Sequence, residues 1–318
     1  MRNTLRKRVI YLATFLLILI ISIIAFISLR NHMSYKKSVI INRSSEFFIN
    51  SDKIIEITPE KTLYEHDFKG KAKKVCENTD IIYIQNNLQI NKDGSIYFNE
   101  NDKYSERKIA QIPGAISGSY DYDHISIVTK DGKLYLSSIL DRDNKEKFNS
   151  KMPEDLKLIT DIPKVKKVVC DDVVTWFLSE DGEVYVRGKL LSKEFATFTK
   201  INCENKVIDI DGSSGTLVAL DEKNNVHVIG DVSFDGWDLS YEFKQKYKNI
   251  SSISALAGYG VAIRKDGKVE FWGTRTSGKG NETYSGKVKN INNASKVFNN
   301  NSVIIVLEDN ILIHTNVD

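Results

Sequence analysis

Apolar and polar positions alternate in two different ways along this chain. From Val9 to Leu29 run 21 residues without a charge, dominated by Leu, Ile, Phe and Val. As a helix they would be about 31 Å long and match the hydrocarbon core of a bilayer. Beyond residue 37 the runs are short, their inward and outward residues alternate, and Asp-Gly or Asn-containing turns separate them in pairs. That is the signature of β-hairpins.

The hairpins recur. Glu46 to Ile49 turns at Ser51-Asp52 into Lys53 to Ile57, and Leu88 to Ile90 turns at Asp93-Gly94 into Ser95 to Phe98. Ile125 to Val128 turns at Asp131-Gly132, Thr175 to Leu178 at Asp181-Gly182, and Leu217 to Leu220 at Asn224-Asn225. Val261 to Ile263 turns at Asp266-Gly267, and Val303 to Val306 at Asp309-Asn310. From 52 to 309 the turns stand 41, 38, 50, 43, 42 and 43 residues apart. A unit of about 40 residues is the size of a four-stranded propeller blade, and such blades must stack around an axis to bury both faces.

Lys73 to Cys76, Lys166 to Cys170, Lys206 to Ile208 and Lys296 to Phe298 read as the first strand of their units. The last unit supplies three strands before the chain ends, while Ser38 to Asn42 is a lone strand just after the apolar segment. It is expected to close the ring as the missing outer strand, leaving no open edge. The expected architecture is all-β, a seven-bladed propeller, or a six-bladed one if the short first and last units share a blade, preceded by one transmembrane helix. Its segments are a cytoplasmic tail 1–8, a transmembrane helix 9–29, a linker 30–37 and a propeller 38–318.

The sixth unit reads Ala257-Gly258-Tyr259-Gly260-Val261-Ala262-Ile263, then Asp266-Gly267-Lys268-Val269-Glu270-Phe271-Trp272-Gly273. It resembles the repeat of the regulator of chromosome condensation (RCC1) family. There a glycine-containing turn, an apolar strand, a DG turn and a V-x-x-W-G strand recur around a seven-bladed propeller. The stretches Asp211 to Gly230 and Asp181 to Gly188 look similar, and the likeness covers most of residues 45–318. Two features depart from it: the His that commonly precedes the second strand is missing, and the trailing G-Q-L-G box is reduced to Ser277-Gly278-Lys279-Gly280. The resemblance implies the fold and, for a membrane-anchored chain, a surface protein binder, but not nucleotide exchange on a nuclear GTPase. Other propeller families stay open, although Trp237-Asp238, the sole Trp-Asp pair, lies between hairpins.

Charge sharpens this picture. The net charge is +3, but of the 45 Lys and Arg seven lie in residues 1–37 beside no Asp or Glu. That leaves 38 basic against 42 acidic side chains, a balance near −4, which disfavours nucleic acid as a partner. The exit Ile27-Ser28-Leu29-Arg30 offers no small-x-small cleavage site, so the segment reads as an uncleaved lipid-embedded anchor. Four basic residues precede it and three follow, favouring a cytoplasmic N-terminus and an extracytoplasmic propeller at the cell membrane. The Lys-, Asn- and Ile-rich composition points to a bacterial source.

Candidate chemistry is sparse. No two of the five histidines stand at a metal-ligand spacing, and the three cysteines show no CxxC and read as small buried side chains. No G-x-S-x-G elbow, P-loop or G-x-G-x-x-G occurs. The Asp residues of the DG turns serve the turns. No catalytic, metal or cofactor-binding residue is therefore expected. The aromatic insert 231–249 supplies the binding candidates Trp237 and Tyr241, which either form a contact patch or pack over their own blade as its outer strand. The charged stretch Asp141 to Lys157 reads as a solvated loop. The expected function is a non-catalytic protein-binding or scaffold module at the cell surface. The alternatives are a glycan-binding or glycan-cleaving propeller, with paired carboxylates in its axial funnel, and a sensor domain signalling through a partner membrane protein.

Overall fold

The structure is a computed structural model. It describes residues 32–33, 37–40, 45–50, 53–67, 71–85, 87–99, 104–105, 107–121, 124–137, 156–170, 174–213, 215–231, 239–256, 259–277, 280–288, 291–299, 303–307 and 311–315. The segment 9–29 lies outside these, and among the described residues no helix is long and apolar enough to cross a membrane.

The alternating runs become strands. Two short ones come first, β1 (His32–Met33) and β2 (Lys37–Ile40). Antiparallel meanders of four then follow along the chain. The first is β3 (Glu46–Asn50), β4 (Lys53–Ile57), β5 (Leu63–Asp67) and β6 (Ala72–Cys76). The second is β7 (Ile81–Gln85), β8 (Leu88–Asn91), β9 (Ser95–Phe98) and β10 (Arg107–Gln111). The third is β11 (Ala115–Asp121), β12 (His124–Thr129), β13 (Leu134–Ser137) and β14 (Leu156–Ile159). Next come β15 (Val165–Cys170), β16 (Val174–Ser179), β17 (Val184–Leu190) and β18 (Lys193–Ile201). The fifth holds β19 (Val207–Ser213), β20 (Thr216–Asp221), β21 (Val226–Asp231) and β22 (Leu239–Tyr247). The sixth holds β23 (Ile250–Leu256), β24 (Tyr259–Arg264), β25 (Val269–Ser277) and β26 (Gly280–Val288). The chain ends with β27 (Ala294–Asn299), β28 (Val303–Leu307) and β29 (Ile311–Thr315).

These strands make a β-propeller of six hydrogen-bonded sheets, which corrects the expected count of seven separate blades. The reason is local. A parallel bridge between Ile49 and Gln85 merges the first two meanders into one eight-stranded sheet. The last sheet is completed by β2, which pairs antiparallel with β29 through Val39 opposite Leu312 and Ile40 opposite Ile311. This is the closure expected of the lone N-terminal strand, and it begins one residue early, at Lys37. In the expected linker, His32 and Met33 add a short parallel strand beside Lys287 and Val288.

The first unit is corrected too. Glu46–Asn50 and Lys53–Ile57 are the first and second strands of their meander, and Ala72–Cys76 is its fourth, not the first strand of the next. Its counterpart of the DG turn is Thr58 to Thr62, where Thr58 N donates to Thr62 O and Lys61 N to Thr58 O. Lys61 there adopts φ +60°, as Asn224 does at +66° in the fifth meander, while glycine fills the same site at Gly94, Gly132, Gly182 and Gly267.

A left-handed residue is required at that site because it clasps the next meander. Its carbonyl accepts the amide of a residue at the start of the following first strand or just before it: Lys61 from Thr79, Gly94 from Ile112, Gly132 from Val165, Gly182 from Val207, Asn224 from Ile250 and Gly267 from Ala294, all at 2.8–3.0 Å. A Cβ on Gly267 would stand 2.1 Å from the Asn292 carbonyl oxygen, so glycine suits both the φ and the approach. The first strands that follow a clasp also share a bulge beside it, for example between Ile81 and Tyr83 and between Val165 and Lys167. The repeat in the sequence is thus a repeat of backbone hydrogen bonds.

Side chains fill the space between successive sheets. Trp176, Leu178, Val184 and Val186 pack against Val207, Ile210, Leu217 and Ala219 of the next sheet. On the opposite face Phe177 meets Val128, Leu134 and Leu136 of the preceding one. Phe177 stacks on Tyr185 at 4.7 Å and meets Phe198 edge-on at 4.8 Å, geometry worth about 0.5–1.5 kcal/mol per pair beyond the area buried. At the closing interface Lys296 Nζ lies 5.6 Å from the ring of Phe47.

Candidate functional site

The up-and-down path of each meander gives the propeller two unlike ends. Connections between second and third strands, and from one meander to the next, lie at the clasped end, where short turns and backbone hydrogen bonds stitch neighbours together. Connections between first and second strands, and between third and fourth, lie at the other end. There the chain leaves β13 and re-enters β14 after residues 138–155, and leaves β21 and re-enters β22 after 232–238. Of the charged stretch Asp141 to Lys157, expected as a loop, residues 141–155 lie outside the described residues, and Leu156 and Lys157 belong to strand β14, which corrects the expectation there.

Side chains of neighbouring first strands make polar contacts from one sheet to the next, from β7 to β23. Tyr83 Oη donates to Gly118 O at 2.6 Å, and Cys170 N to Ser119 Oγ at 3.0 Å. Lys167 Nζ lies 2.8 Å from Asp209 Oδ1, and both side chains are partly exposed. Asp211 accepts from Gly212 N and, through its other oxygen, from Ser254 Oγ and Ala255 N. Burial pushes the Asp211 carboxyl above its ordinary value, and Lys167 opposes the shift. Burial likewise works against the Lys167 charge, but Asp209 and Asp211 outweigh it and hold its ammonium above the ordinary value. These carboxylates tie β19 to β15 and β23, so each already has a structural partner.

Buried histidines are similarly engaged. His227 Nε2 lies 2.9 Å from Asp221 Oδ2, and Asp221 also accepts from Asn225 N at 2.7 Å and from the side chains of Asn225 and Asn205. Burial alone would raise the Asp221 carboxyl, yet these hydrogen bonds hold it down at about 2. His66 Nε2 meets Glu56 at 2.7 Å, while Ser45 Oγ donates to the other Glu56 oxygen. The order Ser–Glu–His is not that of a nucleophilic triad, whose serine must meet the imidazole. Among the described residues no group of three His, Cys, Asp or Glu side chains could hold a metal ion. The cysteines are free thiols. Cys170 is buried as expected, Cys203 half-buried, and Cys76 exposed, which corrects its expected burial.

The expected binding residues fall apart. Trp237 lies outside the described residues. Tyr241 stands on the fourth strand β22 at the loop end, 40% exposed, its hydroxyl 2.5 Å from Ser192 Oγ of the preceding sheet. Phe243 and Tyr247 of the same strand pack on the cores beneath, so residues 239–247 are an outer strand with one exposed aromatic.

A cleft of about 470 Å³ also opens at the loop end, between the β11–β14 and β15–β18 sheets. His124, Leu136, Lys157 and Ile159 line one side, and Val174, Thr175, Arg187 and Gly188 the other. Register places the polar groups. Arg187 is opposite Thr175 and two residues from Tyr185, so it extends the face that carries Phe177 toward the loop end. Lys157 is opposite Leu136, on the face turned toward that same interface. Neither cation was singled out from the sequence, since only the pairing of two sheets brings them together. The periodicity of β17 was the available signal: Val184 and Val186 face one way, Tyr185 and Arg187 the other.

No protein-family model matches the sequence, and no curated protein matches it either. Solved structures do match in shape. One is Prp20p of Saccharomyces cerevisiae, in a crystal structure that also reports its binding to Gsp1p and histones. It is 10% identical, with 85% of this chain and 82% of that chain covered and a TM-score of 0.59. Another is YCF48 bound to D1 peptide, 10% identical over 89% of this chain and 97% of that chain, with a TM-score of 0.55. Yeast RCC1 (Prp20), in its complex with Kap60, matches at 10% identity over 85% and 79% with a TM-score of 0.57. At such identities the likeness is one of fold: the chain is a β-propeller, similar in shape to these structures.

Proposed function

We propose that this chain is a membrane-anchored propeller, displayed outside the cytoplasm, that binds another protein through its loop end and performs no catalysis. The asymmetry of the two ends carries this reading. One end is closed by backbone clasps, while the other holds a cleft, an exposed aromatic and the longest connections. Loops on a rigid scaffold are where binding residues concentrate. Propellers of the same fold have been solved with proteins or peptides, Prp20 with Kap60 and YCF48 with the D1 peptide, which supports a protein partner by analogy of fold. The apolar segment 9–29 and the basic residues before it support the anchor and its orientation. The engagement of the β19 carboxylates Asp209 and Asp211 with structural partners favours binding over a glycan-cleaving role.

Chemical crosslinking in native membranes, with the full chain as bait and mass spectrometry as readout, tests the reading. Recovery of one protein at near-equal stoichiometry is expected. Retention of polysaccharide alone, or shortening of added glycans, would overturn it.

A further inference from the structure

The cleft between the β11–β14 and β15–β18 sheets carries a cationic side chain on each wall. Its lining includes Lys157, Arg187 and His124, and among the described residues no Asp or Glu. Lys157 and Arg187 stand on facing sides of the interface, and among the described residues neither forms an ion pair. Two like charges across a cleft repel, and an anion between them relieves that repulsion.

Arg187 is also held in place. Its guanidinium carbon sits 5.9 Å from the Phe198 ring centroid, on the aromatic face built by Phe177 and Tyr185. A guanidinium oriented by an aromatic ring loses little freedom when it takes a planar carboxylate with two parallel hydrogen bonds. Beside it Thr175 and Ser137 bring hydroxyls, while Leu136, Ile159 and Val174 give apolar walls, and the volume suits a side chain or two of a peptide.

We propose that this cleft receives an acidic segment of the partner protein, with a Glu or Asp carboxylate seated between Arg187 and Lys157. The proposal rests on the protein-binding reading above and adds the chemistry of the partner.

The test is fluorescence anisotropy on the full chain in nanodiscs of zwitterionic lipid, with labelled deca-glutamate as probe and deca-glutamine as reference. Deca-glutamate is expected to bind, more weakly as salt rises, and deca-glutamine not to bind. Arg187→Gln and Lys157→Gln should each weaken binding about tenfold, Arg187→Lys less, and Lys130→Gln at the clasped end not at all. If Arg187→Gln fails to fold, the exposed Lys157→Gln carries the comparison. Equal binding by the double variant, no binding of deca-glutamate, or tighter binding of polyphosphate than of deca-glutamate would each overturn the proposal. Repeating the membrane capture with the double variant separates the two claims. A partner recovered undiminished sinks the acidic segment alone, whereas nothing recovered by either chain sinks protein binding itself.

Discussion

At the scale of single residues, close approach decides what each position tolerates. A Cβ on Gly260 would fall 2.0 Å from the Trp272 indole, its cross-strand partner, so the small residue makes the room that the ring fills. Gly260→Ala is therefore expected to cost about 1–3 kcal/mol, as overpacking does, seen as a lower urea midpoint with an unchanged slope. Asp221 shows the same economy in charge. Its carboxyl is held at about 2 against an ordinary 3.8, so the stability it contributes is present above pH 3.8 and is lost as pH falls through 2. Thermal unfolding scanned from pH 5 to pH 2 should show this loss in the native chain, and Asp221→Asn should flatten that limb of the profile.

At the scale of elements, the clasp turn is the repeating unit. Gly267→Ala meets both the Asn292 carbonyl oxygen and an unfavourable φ of +74°, and should lower stability by more than 1 kcal/mol. Lys61→Gly, at φ +60°, should raise it by a few tenths to about 1 kcal/mol. Denaturant titration of both variants checks the opposite signs.

The same turn shows what the sequence could reveal. Asp-Gly pairs at four positions and Asn224-Asn225 at a fifth announce it, because few residue types adopt that backbone. Pro59-Glu60-Lys61 does not, since its left-handed residue is a lysine, held by its own turn and by the clasp to Thr79. Ser51-Asp52 stands between the paired first and second strands of that unit, and taking it for the DG-type turn displaces the unit by one strand. The cleft was hidden for a similar reason. Lys157 and Arg187 are 30 residues apart, and they face one another only once Leu136 opposite Lys157 and Thr175 opposite Arg187 fix two registers.

At the scale of the whole molecule, the N-terminal strand closes the propeller next to the proposed anchor. Val39→Cys with Leu312→Cys, or Ile40→Cys with Ile311→Cys, tests that closure. Neighbouring pairs alternate between hydrogen-bonded and non-bonded sites, so one of the two suits a disulfide. Formation of a crosslink on oxidation, with a higher Tm, is expected from the better-placed pair. Topology can be read from Cys76, whose exposure makes it a reporter. A membrane-impermeant maleimide should label it in intact cells and reach buried Cys170 only after denaturation, and protection of Cys76 until lysis would place the propeller in the cytoplasm.

The proposed binding role is tested most directly by site-specific photocrosslinking in native membranes. A photoreactive residue is placed at Tyr241 or Lys157 on the loop end, and at Lys130 or Lys206 on the clasped end. A protein adduct from the loop-end positions and none from the clasped end is the expected result. Adducts confined to Lys130 and Lys206, or none at any of the four, would contradict a loop-end binding module.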